Sequence, residues 1–153
     1  MQRWIVAVTA LMVLMGGGLI AGYKFVYKPN RPNPIWVPLA IREDVGMSER
    51  QTIVKELTRK LSERQVLEGV SKDLGLAAKW QMATNEEAAK EVGRRLFVRT
   101  GETLNAEGAP VPAILVGVNG KLKQAAESKD IAMRLMKDVF EILGIPQQAP
   151  IED

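Results

Sequence analysis

The chain opens on one unbroken apolar stretch, with no charge from Trp4 to Gly22. At about 1.5 Å per residue such a helix reaches roughly 30 Å, the thickness of a hydrocarbon core. Trp4 stands at one end and Tyr23 and Tyr27 at the other, where interfacial aromatics belong. The pattern predicts an N-terminal transmembrane anchor over residues 1–27. A cleaved signal peptide fits less well. Its apolar region is usually about 7–15 residues, and Ile20-Ala21-Gly22 puts a large residue where cleavage wants a small one. Gly18 and Gly22 form a G-x-x-x-G, and Gly17 with Ala21 repeats the spacing. Small residues four apart let two helix backbones approach closely in lipid, so transmembrane packing is assigned to Gly18 and Gly22.

After the anchor the pattern breaks. Residues 28–34 hold Pro29, Pro32 and Pro34, which stop a helix and predict a short stiff spacer. Ile35 to Ile41 reads as a strand, and Pro38 within it marks an edge. Ser48, Ser62 and Thr84 each precede an acid or amide three residues on, the spacing of a capping box. Helical apolar stripes follow them: Ile53, Val54, Leu57 and Leu61, then Val66, Leu67, Val70 and Leu74. Gly75 is a stop signal, and Leu76 to Gln81 predicts a short turn of helix bearing Trp80. The third helix runs to about Arg95, with opposite charges four apart at Glu86/Lys90 and Glu91/Arg95.

Leu96 to Thr100 predicts a strand, Gly101 to Pro112 a loop, and Ala113 to Val118 a central strand buried on both faces. Asn119-Gly120 is a turn signal. A last helix is expected from Ser128, with Ile131, Leu135, Met136, Val139, Phe140 and Leu143 on one stripe and Gly144 and Pro146 ending it. The fold class is therefore α+β: a small mixed β-sheet covered by helices over residues 35–145, followed by a loose tail at 146–153.

Charge and composition narrow the chemistry. The chain has no cysteine and no histidine, which excludes disulfides, thiol nucleophiles, Ser-His-Asp triads and the usual zinc sites. Residues 1–31 hold Arg3, Lys24, Lys28 and Arg31 and no acid. That leaves 17 of the 21 basic residues against all 18 acidic ones in the rest, so the domain lacks the basic excess of a nucleic-acid reader. Gly117 to Lys121 resembles a phosphate loop only superficially, because Leu115 and Leu122 stand where the motif needs Gly and Ser or Thr. Glu43-Asp44 and Glu86-Glu87 are the paired carboxylates, and their positions read as structural. Arg94-Arg95 suits either an anionic sugar or phosphate, or a solvated helix end. Trp80 suits either a stacked sugar ring or a core plug. Trp80, Arg94 and Arg95 are accordingly the candidate glycan or partner contacts. No catalytic residue, cofactor or metal is expected.

Lys24, Lys28 and Arg31 follow the anchor, which by charge alone places the domain in the cytoplasm, although long domains translocate largely regardless of charge.

The stretch Leu61-Ser62-Glu63-Arg64-Gln65-Val66-Leu67-Glu68, continuing to Leu74-Gly75-Leu76 and Trp80, resembles the extracytoplasmic domain of the polysaccharide chain-length determinant (Wzz-type) family. Thr84 to Thr100 is similar to that family's capped helix and L-x-V-R strand, with Leu96-Phe97-Val98-Arg99 in the strand. Ile114 to Val118 and Ile131-Ala132-Met133-Arg134-Leu135 look like its next strand and helix. The resemblance implies a reduced form, without the long helical hairpin and second transmembrane helix of typical members. It implies a single-pass protein of the bacterial inner membrane with an extracytoplasmic domain. It further implies a homo-oligomeric, non-enzymatic scaffold in surface polysaccharide biosynthesis, export or chain-length control. Its partners would be the membrane and a polysaccharide polymerase or export machinery, with no nucleic acid. The alternative is a monomeric tethered module that binds a glycan or a periplasmic protein.

Overall fold

The computed structural model describes residues 29–145. The expected anchor, Gly18 and Gly22 within it, and the tail at 146–153 lie outside those residues. No described helix is long and apolar enough to cross a membrane.

The described chain is α+β. Strand β1 (Ile35–Ala40) is followed by helices α1 (Met47–Leu61), α2 (Arg64–Asp73), α3 (Leu76–Lys79) and α4 (Asn85–Arg95). Strands β2 (Leu96–Leu104) and β3 (Pro110–Val118), a 3-10 turn (Leu122–Gln124) and helix α5 (Ala125–Leu143) complete it. The three strands form one sheet in the order β1-β3-β2. The apolar strand is central, as its two-sided hydrophobicity requires. Pro38 lies on edge strand β1, opposite Leu115.

The sheet corrects the expected mixed arrangement, because both pairings are antiparallel. The expected loop at Gly101 to Pro112 is also mostly strand. Glu102 pairs with Pro112 and Leu104 with Pro110, leaving only Asn105 to Ala109 as the hairpin turn. Asn105 makes that turn: its Oδ1 accepts from Glu107 N at 3.0 Å and Ala109 N at 2.9 Å, and Gly108 takes φ +80°. Glycine and proline in this stretch read as loop residues, yet the β1 ladder stops at Ala113, so Pro110 and Pro112 lie in the part of β3 that pairs with β2 alone.

The capping signals divide. Thr84 is the N-cap of α4, accepting from Glu87 N at 3.2 Å, while Glu87 accepts from Ala83 N at 3.0 Å. The other two expected caps are not N-caps. Helix α1 starts at Met47 after Gly46, and Ser48 lies inside its first turn. There Arg50 holds the Val45 carbonyl at 2.7 Å, and its own N–H bonds Gly46 O at 3.0 Å. Ser62 ends α1 in helical conformation, donating to Thr58 O, so it cannot also adopt the extended conformation that an N-cap needs. Glu63 takes that place for α2. Helix α5 begins three residues before Ser128, which is buried within its first turns.

Side chains on the inner face of the sheet meet the helices. Ile114, Val116 and Val118 join Val37, Leu39, Leu96 and Val98 with Leu57, Leu61, Val70, Val92, Ile131, Leu135 and Val139 in one core. Helix α5 lies along β3 and β1 and α1 along β2, both through this face. The alternate strand positions, Trp36, Pro38, Phe97, Arg99, Leu115 and Gly117, line the other face. None of them belongs to that core.

Candidate functional site

Two polar-aromatic clusters stand out, one expected and one not. The expected one forms where α4 ends. Gly75 takes φ +61° after α2, and α3 then turns Trp80 back toward the core. The guanidinium of Arg95 lies over the Trp80 ring, 4.7 Å from its centre. Arg95 is therefore not the solvated helix end that its position suggested. Its side chain is 19% exposed and pairs with Glu91 at 2.7 Å and, more distantly, with Glu127 of α5 at 3.8 Å. Arg94, by contrast, is solvated at 77% and pairs with the same Glu91. The structure thus brings Trp80 and Arg95 together, while Arg94 stays in solvent and meets them only through Glu91. Trp80 packs against the core on one side and under Arg95 on the other. Its Nε1, the Nη1 of Arg95, Oε1 of Glu127 and Oγ of Ser128 are buried without a hydrogen-bond partner among the described residues.

Three of the four paired carboxylates, Asp44, Glu86 and Glu87, have partners. Glu86 accepts from Lys90 at 3.2 Å and Arg64 at 3.0 Å. The Lys90 hydrogen bond, with the Arg64 charge beside it, holds the Glu86 carboxyl below the usual glutamate range. A carboxyl held ionised makes a poor general acid. Asp44 pairs with Arg42 at 2.7 Å on the exposed surface. Among the described residues, no three acids are grouped as a metal would need.

The unexpected cluster lies on the outer face of the sheet. Trp36 on β1 and Phe97 on β2 both stand opposite Gly117 of the strand between them. A Cβ at Gly117 would come within 2.1 Å of the Ile35 carbonyl and 2.7 Å of Trp36 Cα, so only glycine lets β1 approach here. Arg99 reaches over both rings, 5.5 Å from the Trp36 centre and 5.1 Å from that of Phe97. Leu115 fills the space beside Gly101, whose Cβ position lies 2.6 Å from Leu115 Cδ1. Trp36 is 43% exposed, and Arg99 makes no ion pair among the described residues. The result is an apolar platform with one cation lying across it. Period-two alternation was the available signal: Trp36, Pro38 and Ala40 are apolar where a solvated face calls for polar residues.

Compared with protein-family models, with curated proteins and with solved structures, the chain finds no match.

Proposed function

We propose that the protein is a membrane-anchored, non-enzymatic scaffold that self-associates through the outer face of its sheet, in the assembly or export of a surface polysaccharide. The platform of Trp36, Phe97, Leu115 and Arg99 is the observation that carries this reading. An exposed Trp36 and an arginine without an ion pair among the described residues, set beside the half-buried Phe97 and the buried Leu115, match the composition of an interface core, where aromatics and Arg are enriched. A second exposed apolar point, Met133, lies on α5 beside Asp130, on the side of that helix turned away from its buried stripe. Contact between two such unlike faces is heterologous, which builds rings or open filaments rather than isolated dimers. The polysaccharide role, the polymerase or export partner and the inner-membrane location come from the Wzz-type resemblance, as does the extracytoplasmic side. The absence of histidine and cysteine and the engagement of Glu86 and Glu87 support a non-enzymatic role.

Native mass and crosslinking of the detergent-extracted full chain test it. An oligomer that Arg99→Glu reduces to monomers is the expected result. A strict monomer at membrane-like density refutes it.

The platform also fits the alternative, a monomeric module that stacks a sugar ring on Trp36 and pairs its carboxylate with Arg99. Titration with an acidic oligosaccharide that quenches Trp36 fluorescence in a monomer would select that reading.

A further inference from the structure

We infer that the segment entering the domain, together with the turn after β3, forms a basic strap that seats the domain on anionic lipid headgroups. The inference rests on the membrane-anchored reading above.

The strap is built from backbone. Asn33 N donates to Gly120 O at 2.8 Å, Leu122 N to Arg31 O at 3.0 Å, and Lys123 N to Pro29 O at 3.0 Å. Pro32 bridges Lys121. Residues 29–33 and 120–123 therefore run side by side as one antiparallel clip. Gly120 keeps the clip close to α5, since a Cβ there would stand 2.4 Å from Ser128 Oγ. This brings Arg31, Lys121 and Lys123, all exposed, around Leu122, which is 43% exposed. Neither lysine makes an ion pair among the described residues. A ring of cations around an exposed leucine is the composition of a surface that binds the headgroup boundary.

Chain length fixes where this patch works. Gly22 ends the apolar stretch and Pro29 begins the strap. Even fully extended, the chain between them spans only about 25 Å. The opposite end of the sheet is net acidic: Glu102 and Glu107 flank the β2–β3 turn, and Glu43 and Asp44 follow β1 against Arg42, which pairs with Asp44, and Arg50. An anionic surface attracts the strap and repels that end, so the domain stands with its sheet end-on to the bilayer. The Trp36 platform is then left facing sideways, where neighbours lie.

The full chain has no cysteine, so single labels are clean. Ala126→Cys, beside the strap, and Glu107→Cys, at the hairpin, each carry an environment-sensitive fluorophore. The labelled chains are reconstituted in nanodiscs containing a nitroxide-headgroup lipid. In phosphatidylglycerol discs the label at 126 is quenched and the label at 107 is not. In phosphatidylcholine discs neither is quenched. Lys121→Gln with Lys123→Gln lowers the docked-to-free ratio about 25-fold, about fivefold per lysine. A chain that inserts into discs but shows no quenching at 126, or equal quenching in both lipids, overturns the strap and leaves the anchor standing. A chain that does not insert overturns the anchored reading, and the strap with it.

Discussion

Arg99 on β2 reaches across the whole sheet to Trp36 on β1, its guanidinium carbon 5.5 Å from the ring centre, passing over the strand between them. That reach depends on Gly117. Gly117→Ala drives a Cβ into the Ile35 carbonyl and the Trp36 backbone, neither of which can rotate away. It should destabilise the domain by about 1–3 kcal/mol. Gly101→Ala meets only the Leu115 side chain and should cost less. Urea denaturation of both variants checks the order.

Arg99 itself should add little to folding. It is exposed, and a cation over aromatic rings at an exposed site is worth about 0.5–1 kcal/mol. Arg99→Ala is expected to leave the denaturation midpoint nearly unchanged while weakening association in the mass measurement. A large loss of stability would make Arg99 a structural residue.

Arg95 should behave in the opposite way. Arg95→Ala uncovers Trp80, leaves Glu127, at 23% exposure, without its cation, and leaves Glu91, at 15%, with only the solvated Arg94. The cost should be about 1–3 kcal/mol. Adding Glu127→Gln to Arg95→Ala should recover part of it, and a double-mutant cycle measures how much.

Glu86 predicts a pH signature. Its carboxyl is held below the usual range by Lys90 first and Arg64 second. Because the folded value is the lower one, these pairs stabilise the fold above the unfolded glutamate range. They are lost as pH falls through the lowered value. A carboxyl-detected NMR titration should place the Glu86 midpoint below that of ordinary glutamates. Lys90→Gln should raise it, and Arg64→Gln should raise it less.

Helix α5 anchors the core through Ile131, Leu135 and Val139, all fully buried. Leu135→Ala should cost about 2–5 kcal/mol. Met133→Ala, on the exposed side, should stay within about 0.5 kcal/mol. Thermal unfolding distinguishes them.

Much of the fold was legible along the chain. The stripe on α5, the stops at Gly75 and Gly144, the edge placement of Pro38 and the central position of β3 all follow from local periodicity. The caps at Ser48 and Ser62 did not, because capping spacing says nothing of which conformation the preceding residues impose. Nor did the long hairpin, whose Gly and Pro mimic a loop. Contacts set by topology were invisible: Arg134 bonds Asp73 at 2.8 Å across 61 residues. The same holds for the platform. Trp36 and Arg99 looked like unrelated strand residues until the order β1-β3-β2 set them on one face.

That the domain works as an anchored module outside the cytoplasmic membrane is tested most directly by protease accessibility in spheroplasts. Digestion of the domain from outside, with the anchor retained in the membrane fraction, is the predicted result. Protection until the cells are lysed would place the domain in the cytoplasm and contradict the polysaccharide role.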